Sequence, residues 1–362
     1  MRYLFIIQGE GRGHLTQAIT MEKMLLSRGH DVVRMLVGKS PSRTTLPAFF
    51  TNGVKAPLAY FESVNFVTAA SDKRPDALKT LLFNVAISPR LIPSLSLIRN
   101  EIKESRPDVI VNFYELLGTI VHELSYGDIP MICIGHQFLF LHEDFHFPLI
   151  GYEKHVGLNL FSRAIANGAV KLLALSFRRM PDDAEHRIRV VPPLLRPEVL
   201  AYRQSPDFRK GDYVLGYILN AGFAEEVKDW HSRHPEIPLH FFWDNKDEAP
   251  VKVIDPNLQF YYLDDKEFLR QMAGCRAYAS TAGFESICEA MYLGKPLMMV
   301  PSHTEQKCNA YDATRFDAAV EAERFDLDIL LDFEKNRFRP DPDFPDWAMS
   351  AGDIIASELE SL

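Results

Sequence analysis

The chain has 362 residues, of which 47% are hydrophobic and 25% are charged, and these values are ordinary for a globular protein. This length is sufficient for two domains, each with its own hydrophobic core. The formal net charge of −9 argues against a general nucleic-acid-binding protein.

The cysteine spacing and the apolar runs predict a cytoplasmic protein without a membrane span. No C-x-x-C pair and no paired histidines occur near the cysteines, which favours buried, reduced thiols. The first apolar run, 3–7, is too short for a signal peptide and ends in a glycine turn, so it predicts a strand. No segment reaches the roughly 18 uncharged apolar residues of a transmembrane helix. The cysteines are Cys133, Cys275, Cys288 and Cys308.

In chain order, strand and helix patterns alternate twice. The first series predicts a helix over 15–27 and strands at 3–7, 31–37, 107–113 and 131–134. A proline-rich segment, 190–197, then predicts a linker. The second series predicts helices that begin near 224, 266 and 284 and strands at 213–219, 239–243, 258–263, 277–280 and 297–300. The pattern is typical of an α/β fold with two doubly wound, Rossmann-like domains, at 1–195 and 198–340.

A glycine loop, formed by Gly9, Gly11 and Gly13 and followed by His14, connects the first strand to the first helix. Three glycines let the backbone approach a ligand closely. The loop is not a dinucleotide fingerprint, because His14 stands where G-x-G-x-x-G requires its third glycine and no acid ends the second strand. A nicotinamide cofactor is therefore not expected.

His14 and Glu115 are the candidate catalytic residues. An unperturbed imidazole has a pKa of about 6.5, so His14 suits general-base catalysis; the alternative is that it caps or packs at the turn. Glu115 follows a predicted strand at its C-terminal end, where it could orient His14, bind an acceptor or simply be solvated. His136, at another strand end, and Arg12, facing a phosphate or the solvent, are weaker candidates.

Residues 281–309 carry the strongest functional pattern. A turn of small residues opens a helix, so unpaired backbone N–H groups face whatever lies at that turn. Glu289 lies two turns along this helix, and a buried strand at 297–300 then leads to a polar loop. The loop contains Glu305, Gln306 and Asn309. This arrangement suits a ligand with both phosphates and hydroxyls, such as a nucleotide sugar.

The patterns Gly283-x-x-Ser286-x-x-Glu289 and Pro301-x-x-x-Glu305-Gln306-x-x-Asn309 together resemble the donor-site signature of GT-B glycosyltransferases, in particular the UDP-sugar transferases and the peptidoglycan N-acetylglucosamine transferases. The loop 9–14 is similar to their acceptor-side loop. The resemblance implies two Rossmann-like domains that face each other across a cleft, with a C-terminal helix, 346–362, that packs back onto the first domain. It also implies an inverting, metal-independent hexosyl transfer that needs no cofactor beyond the nucleotide sugar, which is UDP-linked in this interpretation.

The resemblance further implies the role of each donor residue. Glu289 would bind the ribose, Glu305 and Gln306 would bind sugar hydroxyls, and Asn309 would support a phosphate or the loop. The implied donor-binding residues are Gly222, Leu263, Thr281, Gly283, Phe284, Glu285, Ser286, Glu289, Glu305, Gln306 and Asn309. The D-x-D letters at 341–343 lie away from any strand end, so we interpret them as chance rather than as a metal site.

The acceptor side leaves more alternatives open. An apolar stretch, 78–98, is flanked by basic residues. It fits a core helix, a helix that lines an acceptor pocket, or a helix at the inner face of a membrane. The acceptor could be lipid-linked, a saccharide or a small molecule, and no nucleic acid is expected. Two other functions fit the same patterns, namely a UDP-sugar 2-epimerase and a non-catalytic nucleotide-sugar-binding protein.

Overall fold

The computed structural model describes residues 1–40, 45–63, 88–149, 151–204, 208, 211–218, 221–245, 248–315 and 317–362. The chain divides into two compact units. Unit 1 comprises Met1–Leu194 and Met349–Leu362, and unit 2 comprises Leu195–Ala348.

Unit 1 contains a parallel sheet with the strand order β3-β2-β1-β4-β5-β6-β7 among its described residues. Its strands are β1 (Arg2–Gln8), β2 (Asp31–Lys39), β3 (Leu58–Glu62), β4 (Val109–Phe113), β5 (Met131–Gly135), β6 (Lys171–Leu175) and β7 (Ile188–Val191). The middle strands are continuous apolar runs because helices cover both faces of such a sheet. The strand order reverses between β1 and β4, and ligands bind such sheets at the carboxyl ends of the strands on either side of the reversal.

The helices of unit 1 follow its strands. They are α1 (Arg12–Ser27), α2 (Ala48–Thr51), α3 (Ile92–Ser105), α4 (Leu116–Ser125) and α5 (Tyr152–Ala166), with 3₁₀ helices at Ser88–Leu91 and His136–Leu141. The predicted apolar segment 78–98 is described only from residue 88 onward, and the rest of it lies outside the described residues. In α3, Ile98 is buried whereas Ile92 is 61% exposed, as in an ordinary amphipathic helix.

Unit 2 contains a second sheet, with the order β10-β11-β9-β8-β12-β13-β14 among the described strands. Its strands are β8 (Val214–Ile218), β9 (Leu239–Trp243), β10 (Val251–Asp255), β11 (Leu258–Tyr262), β12 (Ala277–Ser280), β13 (Leu297–Met299) and β14 (Ala319–Glu321). Only β10 among them is antiparallel to its neighbour. The strand order reverses between β8 and β12, so the loops after these two strands lie where a ligand is expected.

The helices of unit 2 cover this sheet around a core that includes Trp230, Phe241 and Phe325. They are α6 (Pro197–Gln204), α7 (Ala221–Arg233), α8 (Asp265–Gly274), α9 (Phe284–Tyr292), α10 (Thr304–Ala313), α11 (Leu327–Asn336) and α12 (Phe344–Met349). Two predictions need correction. The segment 190–197 is not all linker, because its first two residues belong to β7 and Pro197 begins α6. The polar segment with Glu305 is a helix rather than a loop.

The last helix, α13 (Ala351–Glu360), belongs to unit 1. Glu358 accepts hydrogen bonds from Lys171 Nζ at 2.5 Å and Arg189 Nε at 2.9 Å, so it connects the helix to β6 and β7. Tyr3 of β1 donates its hydroxyl hydrogen to the carbonyl of Leu359 at 3.3 Å. Among all the helices described, none has the length and apolar character needed to cross a bilayer.

Candidate active site

The glycine loop of unit 1 packs against the end of β2. The Gly9 N–H donates to the carbonyl of Gly38 at 2.7 Å, and a Cβ on Gly9 would lie 2.5 Å from that oxygen. Glycine is therefore required at position 9 by backbone contact. Gly11 is the exposed N-cap of α1, and a Cβ there would meet no atom within 4 Å. Gly13 lies in the first turn of the helix.

His14 lies in the first turn of α1, at the carboxyl end of β1, and its ring is half-buried. Its Nδ1 lies 3.4 Å from Oε1 of Gln17, and its Nε2 lies 3.4 Å from Nε2 of Gln137. The ring of Tyr114 stacks on it at a centroid distance of 5.9 Å. Burial lowers the pKa of His14 to about 4, and the hydrogen bond with Gln17 opposes this shift. The imidazole is therefore neutral at pH 7, which is the form a general base needs.

Glu115 is 1% exposed and caps the N-terminus of α4. Its carboxylate accepts hydrogen bonds from the backbone N–H of Leu117 at 3.1 Å and from Ser63 Oγ at 2.8 Å to each oxygen. Burial raises its pKa to about 7, while these hydrogen bonds lower it and the charge of Glu10 raises it further. The side-chain hydrogen bonds of Glu115 thus come from Ser63 and Leu117, whereas the atom beside His14 Nδ1 belongs to Gln17.

Replacing Glu115 with glutamine should stabilise the protein at neutral and higher pH. The pKa of Glu115 is about 7 in the folded protein and 4.5 in the free group. The native state therefore loses stability as the pH rises from 4.5 to about 7. The loss is about 3 kcal/mol at most. Urea unfolding of the wild type and the variant at about pH 5 and about pH 8 measures this loss. We expect similar free energies of unfolding at about pH 5 and a more stable variant at about pH 8. A parallel pH dependence of the two proteins would contradict the shift.

The two weaker candidates of unit 1 have structural contacts. The His136 ring is 2% exposed, and its Nδ1 donates to the carbonyl of Leu175 at 2.7 Å. It therefore lies in the core rather than on an open surface. The guanidinium of Arg12 lies over the ring of Phe49, 4.3 Å from its centroid.

In unit 2, the loop after β12 leads into α9 through an unusual backbone conformation. Ala282 has φ = 64°, a left-handed conformation that costs about 1 kcal/mol for a residue other than glycine. Asn309 Nδ2 donates a hydrogen bond to the carbonyl of Ala282 at 3.1 Å. Thr281 is 1% exposed, and its hydroxyl oxygen has no hydrogen-bond partner among the described residues.

The start of α9 follows directly. Gly283 is its N-cap, Phe284 is largely buried, and the hydroxyl of Ser286 donates to the carbonyl of Gly283 at 3.1 Å. Glu285 is half-buried in the first turn. The first N–H groups of a helix have no intrahelical acceptor, and the helix dipole favours an anion at this end. The Thr281 hydroxyl lies at the same end, so the loop can donate several hydrogen bonds to an anionic group.

Glu289 is paired with an arginine that the sequence analysis did not identify. It is 1% exposed, and its two oxygens accept from Nε and Nη2 of Arg196 at 2.6 and 2.7 Å. Arg196 Nη1 also lies 3.3 Å from Asp265. The pKa of Arg196 lies above its usual range, although burial opposes this, because Glu289, Asp265 and Glu285 surround the guanidinium. Both oxygens of the carboxylate predicted to bind ribose are thus engaged in a bidentate ion pair with Arg196.

The remaining predicted donor residues differ in exposure. Gln306 is buried on α10, and its Oε1 accepts from the backbone N–H of Ser302 at 2.9 Å and from its hydroxyl at 2.7 Å. Glu305 is half-buried in the first turn of α10. Gly222 is exposed in the first turn of α7, which begins three residues before its predicted start. The Leu263 N–H donates to the carbonyl of Trp243 at 3.0 Å.

Sequence reasoning missed the contact partners of several site residues. Arg196 lies 93 positions from Glu289, and Gln137 lies 123 positions from His14, so neither pairing has a local signal. Gln17 lies three residues after His14, a helical spacing that could have suggested the contact. His303, the N-cap of α10, was also missed, and burial lowers its pKa to about 4. Within the described ranges, no cluster of three or more His, Cys, Asp or Glu residues could hold a metal ion.

Comparison with known proteins identifies the family. The family described as "Glycosyl transferase family 1" matches residues 1–336. The UDP-N-acetylglucosamine–N-acetylmuramyl-(pentapeptide) pyrophosphoryl-undecaprenol N-acetylglucosamine transferase of Porphyromonas gingivalis is 24% identical over 324 residues, which are 82% of this chain and 76% of that protein.

Solved structures share the fold over almost the whole chain. MurG of Acinetobacter baumannii has a TM-score of 0.58 at 16% identity and covers 100% of this chain and 99% of its own. UGT2 of Phytolacca americana, complexed with UDP-2fluoro-glucose and pterostilbene, has a TM-score of 0.62 at 12% identity and covers 98% and 93%. The family match and these shared folds confirm the expected class: the chain belongs to Glycosyl transferase family 1 and is a glycosyltransferase with the GT-B fold.

Proposed function

We propose that this glycosyltransferase moves a sugar from a UDP-linked donor to an acceptor hydroxyl in a single inverting displacement, without a metal ion. The observation that carries the proposal is the N-terminal end of α9, where the first N–H groups have no intrahelical acceptor. There the buried hydroxyl of Thr281 has no partner within the described part of the chain, Ala282 has a left-handed backbone, and Asn309 donates a hydrogen bond to the Ala282 carbonyl. A diphosphate is the leaving group that such a site would stabilise.

In this mechanism, the acceptor oxygen attacks the anomeric carbon while Nε2 of His14 takes the hydroxyl proton. The bond from the anomeric carbon to the diphosphate oxygen breaks, and its electron pair leaves with the UDP. The neutral state of His14 at pH 7 supports its role as the base. The developing charge on the diphosphate is stabilised by the helix end and the Thr281 hydroxyl, so no metal ion is required.

The ribose diol is proposed to bind Glu289. Both carboxylate oxygens already accept hydrogen bonds from Arg196, so the diol must share or replace these bonds. Glu305 and Gln306 are proposed to bind the transferred sugar, with the amide N–H₂ of Gln306 as the donor because its oxygen accepts from Ser302.

The acceptor class is proposed only broadly. The name of the Porphyromonas gingivalis relative includes a pyrophosphoryl-undecaprenol acceptor, and the Phytolacca americana enzyme was solved with pterostilbene. A lipid-linked acceptor would require a protein that works at the inner face of the membrane, whereas a small-molecule acceptor would not. We therefore propose cytoplasmic transfer to a lipid-linked, saccharide or small-molecule hydroxyl.

Nucleotide binding tests the donor half. UDP and UDP-sugars should stabilise the protein in calorimetry and thermal unfolding, whereas NAD(H) should not. Replacing Thr281 with valine keeps the shape but removes the hydroxyl, so UDP affinity should fall about tenfold or more. The matched control is Thr314→Val, because the hydroxyl of Thr314 bonds to a carbonyl of its own helix end.

Product analysis tests the reaction. NMR of sugar released or transferred from a UDP-α-sugar should show a β-linkage, and excess EDTA should leave the rate unchanged. A retained anomeric configuration or dependence on a divalent cation would overturn the mechanism. Tight UDP binding without hydrolysis or transfer of any UDP-sugar would instead indicate a nucleotide-sugar-binding protein.

A further inference from the structure

The ring of His14 is held on both sides by uncharged amides. Gln17, one turn along α1, places its Oε1 at 3.4 Å from Nδ1, and Gln137, at the start of the 3₁₀ helix after β5, places its Nε2 at 3.4 Å from the ring Nε2. An amide oxygen only accepts and an amide N–H₂ only donates. One arrangement satisfies both contacts: Nδ1 carries the hydrogen and donates to Gln17, and the lone pair of Nε2 accepts from Gln137.

The plane of the ring is fixed as well. Tyr114 stacks on His14 with an interplanar angle of 21°, and its hydroxyl bonds to Ser162 Oγ at 2.8 Å. Tyr114 itself has φ = 62°, which is a genuine outlier for an aromatic residue. Backbone strain of this kind persists where the surroundings over-determine it, and it concentrates at functional sites.

The charged groups on the surrounding elements are engaged by other partners. Glu10 accepts from the backbone N–H of Ser40, Arg12 lies over Phe49, and Glu115 accepts from Ser63 and Leu117. The two ring nitrogens of His14 contact the neutral amides of Gln17 and Gln137. A carboxylate beside Nδ1 would favour the charged imidazolium, which has no lone pair to accept a proton.

We propose that Gln17 is the positioning residue of the base: it fixes the Nδ1–H tautomer of His14, and Gln137 occupies Nε2 until the acceptor hydroxyl replaces it. This inference rests on the proposed function of His14. During transfer the acceptor proton moves to Nε2, and Nδ1–H keeps its bond to Gln17. The amide dipole then stabilises the imidazolium without having charged it beforehand.

Nitrogen NMR of His14 tests the assignment directly. The His14→Gln variant identifies the resonances of this ring among those of the other histidines. In the wild type we expect a neutral ring with hydrogen on Nδ1 at pH 7. Gln17→Leu should shift the population toward Nε2–H and lower kcat about tenfold, with the KM for the donor unchanged. A wild-type ring with hydrogen on Nε2 would overturn the proposal.

Two charged variants extend the test and keep the side-chain shape. Gln17→Glu should raise the pKa of His14 by about one to three units and move the acid limb of kcat/KM upward by the same amount. Gln137→Glu should draw the hydrogen to Nε2, and transfer at neutral pH should fall. Lys23→Gln is the control, because it changes the charge of α1 by the same amount at an exposed position. It should change neither the pKa of His14 nor the rate of transfer.

The NMR outcomes do not depend on which sugar is moved. If the ring has the expected tautomer and responds to Gln17→Glu but no transfer occurs, the proposed function fails while the assignment stands. If transfer depends on His14 but the tautomer and pKa of His14 are unchanged in both Gln17 variants, the positioning role fails while the function stands.

Discussion

Replacing His14 with glutamine should lower sugar transfer by two to four orders of magnitude and leave UDP affinity unchanged. A positioned general base typically contributes about 10²- to 10⁴-fold to a rate. The proposed donor ligands belong to unit 2, whereas His14 belongs to unit 1, so nucleotide binding should survive the change. Single-turnover transfer and calorimetric titration with UDP measure the two quantities. Equal turnover by the wild type and the variant would eliminate His14 as the base.

The same variant has a signature in the pH dependence of stability. The pKa of His14 falls from 6.5 to about 4 on folding, so the neutral ring is the form that the native state favours. Below pH 6.5 the unfolded chain binds a proton that the folded chain does not, and the wild type loses stability as the pH falls toward 4. His14→Gln should lose less over this range. A wild type and variant with parallel acid unfolding curves would show that the ring is solvated.

Replacing Glu289 with alanine should destabilise the protein by about 3 to 5 kcal/mol, the usual cost of leaving one member of a buried ion pair without its partner. Glu289 is 1% exposed and the side chain of Arg196 is 15% exposed, so the guanidinium would keep its longer contact with Asp265, at 3.3 Å, but water would replace the lost carboxylate poorly. Urea unfolding gives the free energy. The double replacement Arg196→Met with Glu289→Leu should recover most of the loss, because apolar residues of similar volume often substitute for a buried pair at little cost.

A second forked pair of unit 2 provides the matched control. Arg276 donates Nε and Nη2 hydrogen bonds to Glu334, but its side chain is 32% exposed. Glu334→Ala should therefore cost roughly 1 kcal/mol or less. If Glu289→Ala costs no more than this control, the pair with Arg196 is not a stabilising element.

Most strands could be predicted from the sequence because parallel strands covered on both faces are continuous apolar runs. The predicted ranges 239–243 and 277–280 match β9 and β12 residue for residue. The helix α10 was mistaken for a loop for the converse reason. Its buried face includes Gln306, Asn309 and Asp312, so no apolar period marks it. The amides of Gln306 and Asn309 are buried because they bond to Ser302 and Ala282, and local sequence patterns do not reveal such contacts.

The residue types of the candidate site could be predicted, but their partners could not. Glycine, histidine and carboxylate positions follow strand ends and helix starts, and both are visible in the sequence. Ion pairs and hydrogen bonds depend on which strand ends become neighbours in the sheet. Glu115 illustrates this: an acid that orients His14, binds an acceptor or is solvated was expected, and its carboxylate lies against Ser63, which follows β3, 52 positions away. Only the order of the strands brings these two residues together.

The return of α13 to unit 1 determines the order in which the chain can complete its domains during synthesis. Unit 2 is one uninterrupted stretch, whereas unit 1 needs both Met1–Leu194 and Met349–Leu362. Glu358 and Leu359, which contact β6, β7 and β1, are synthesised only after all of unit 2. Unit 1 therefore begins before unit 2 and is completed after it. A fragment that ends before α13 would leave the apolar residues that pack against Ile355 and Leu359 uncovered, so we expect it to aggregate where a fragment spanning unit 2 would not.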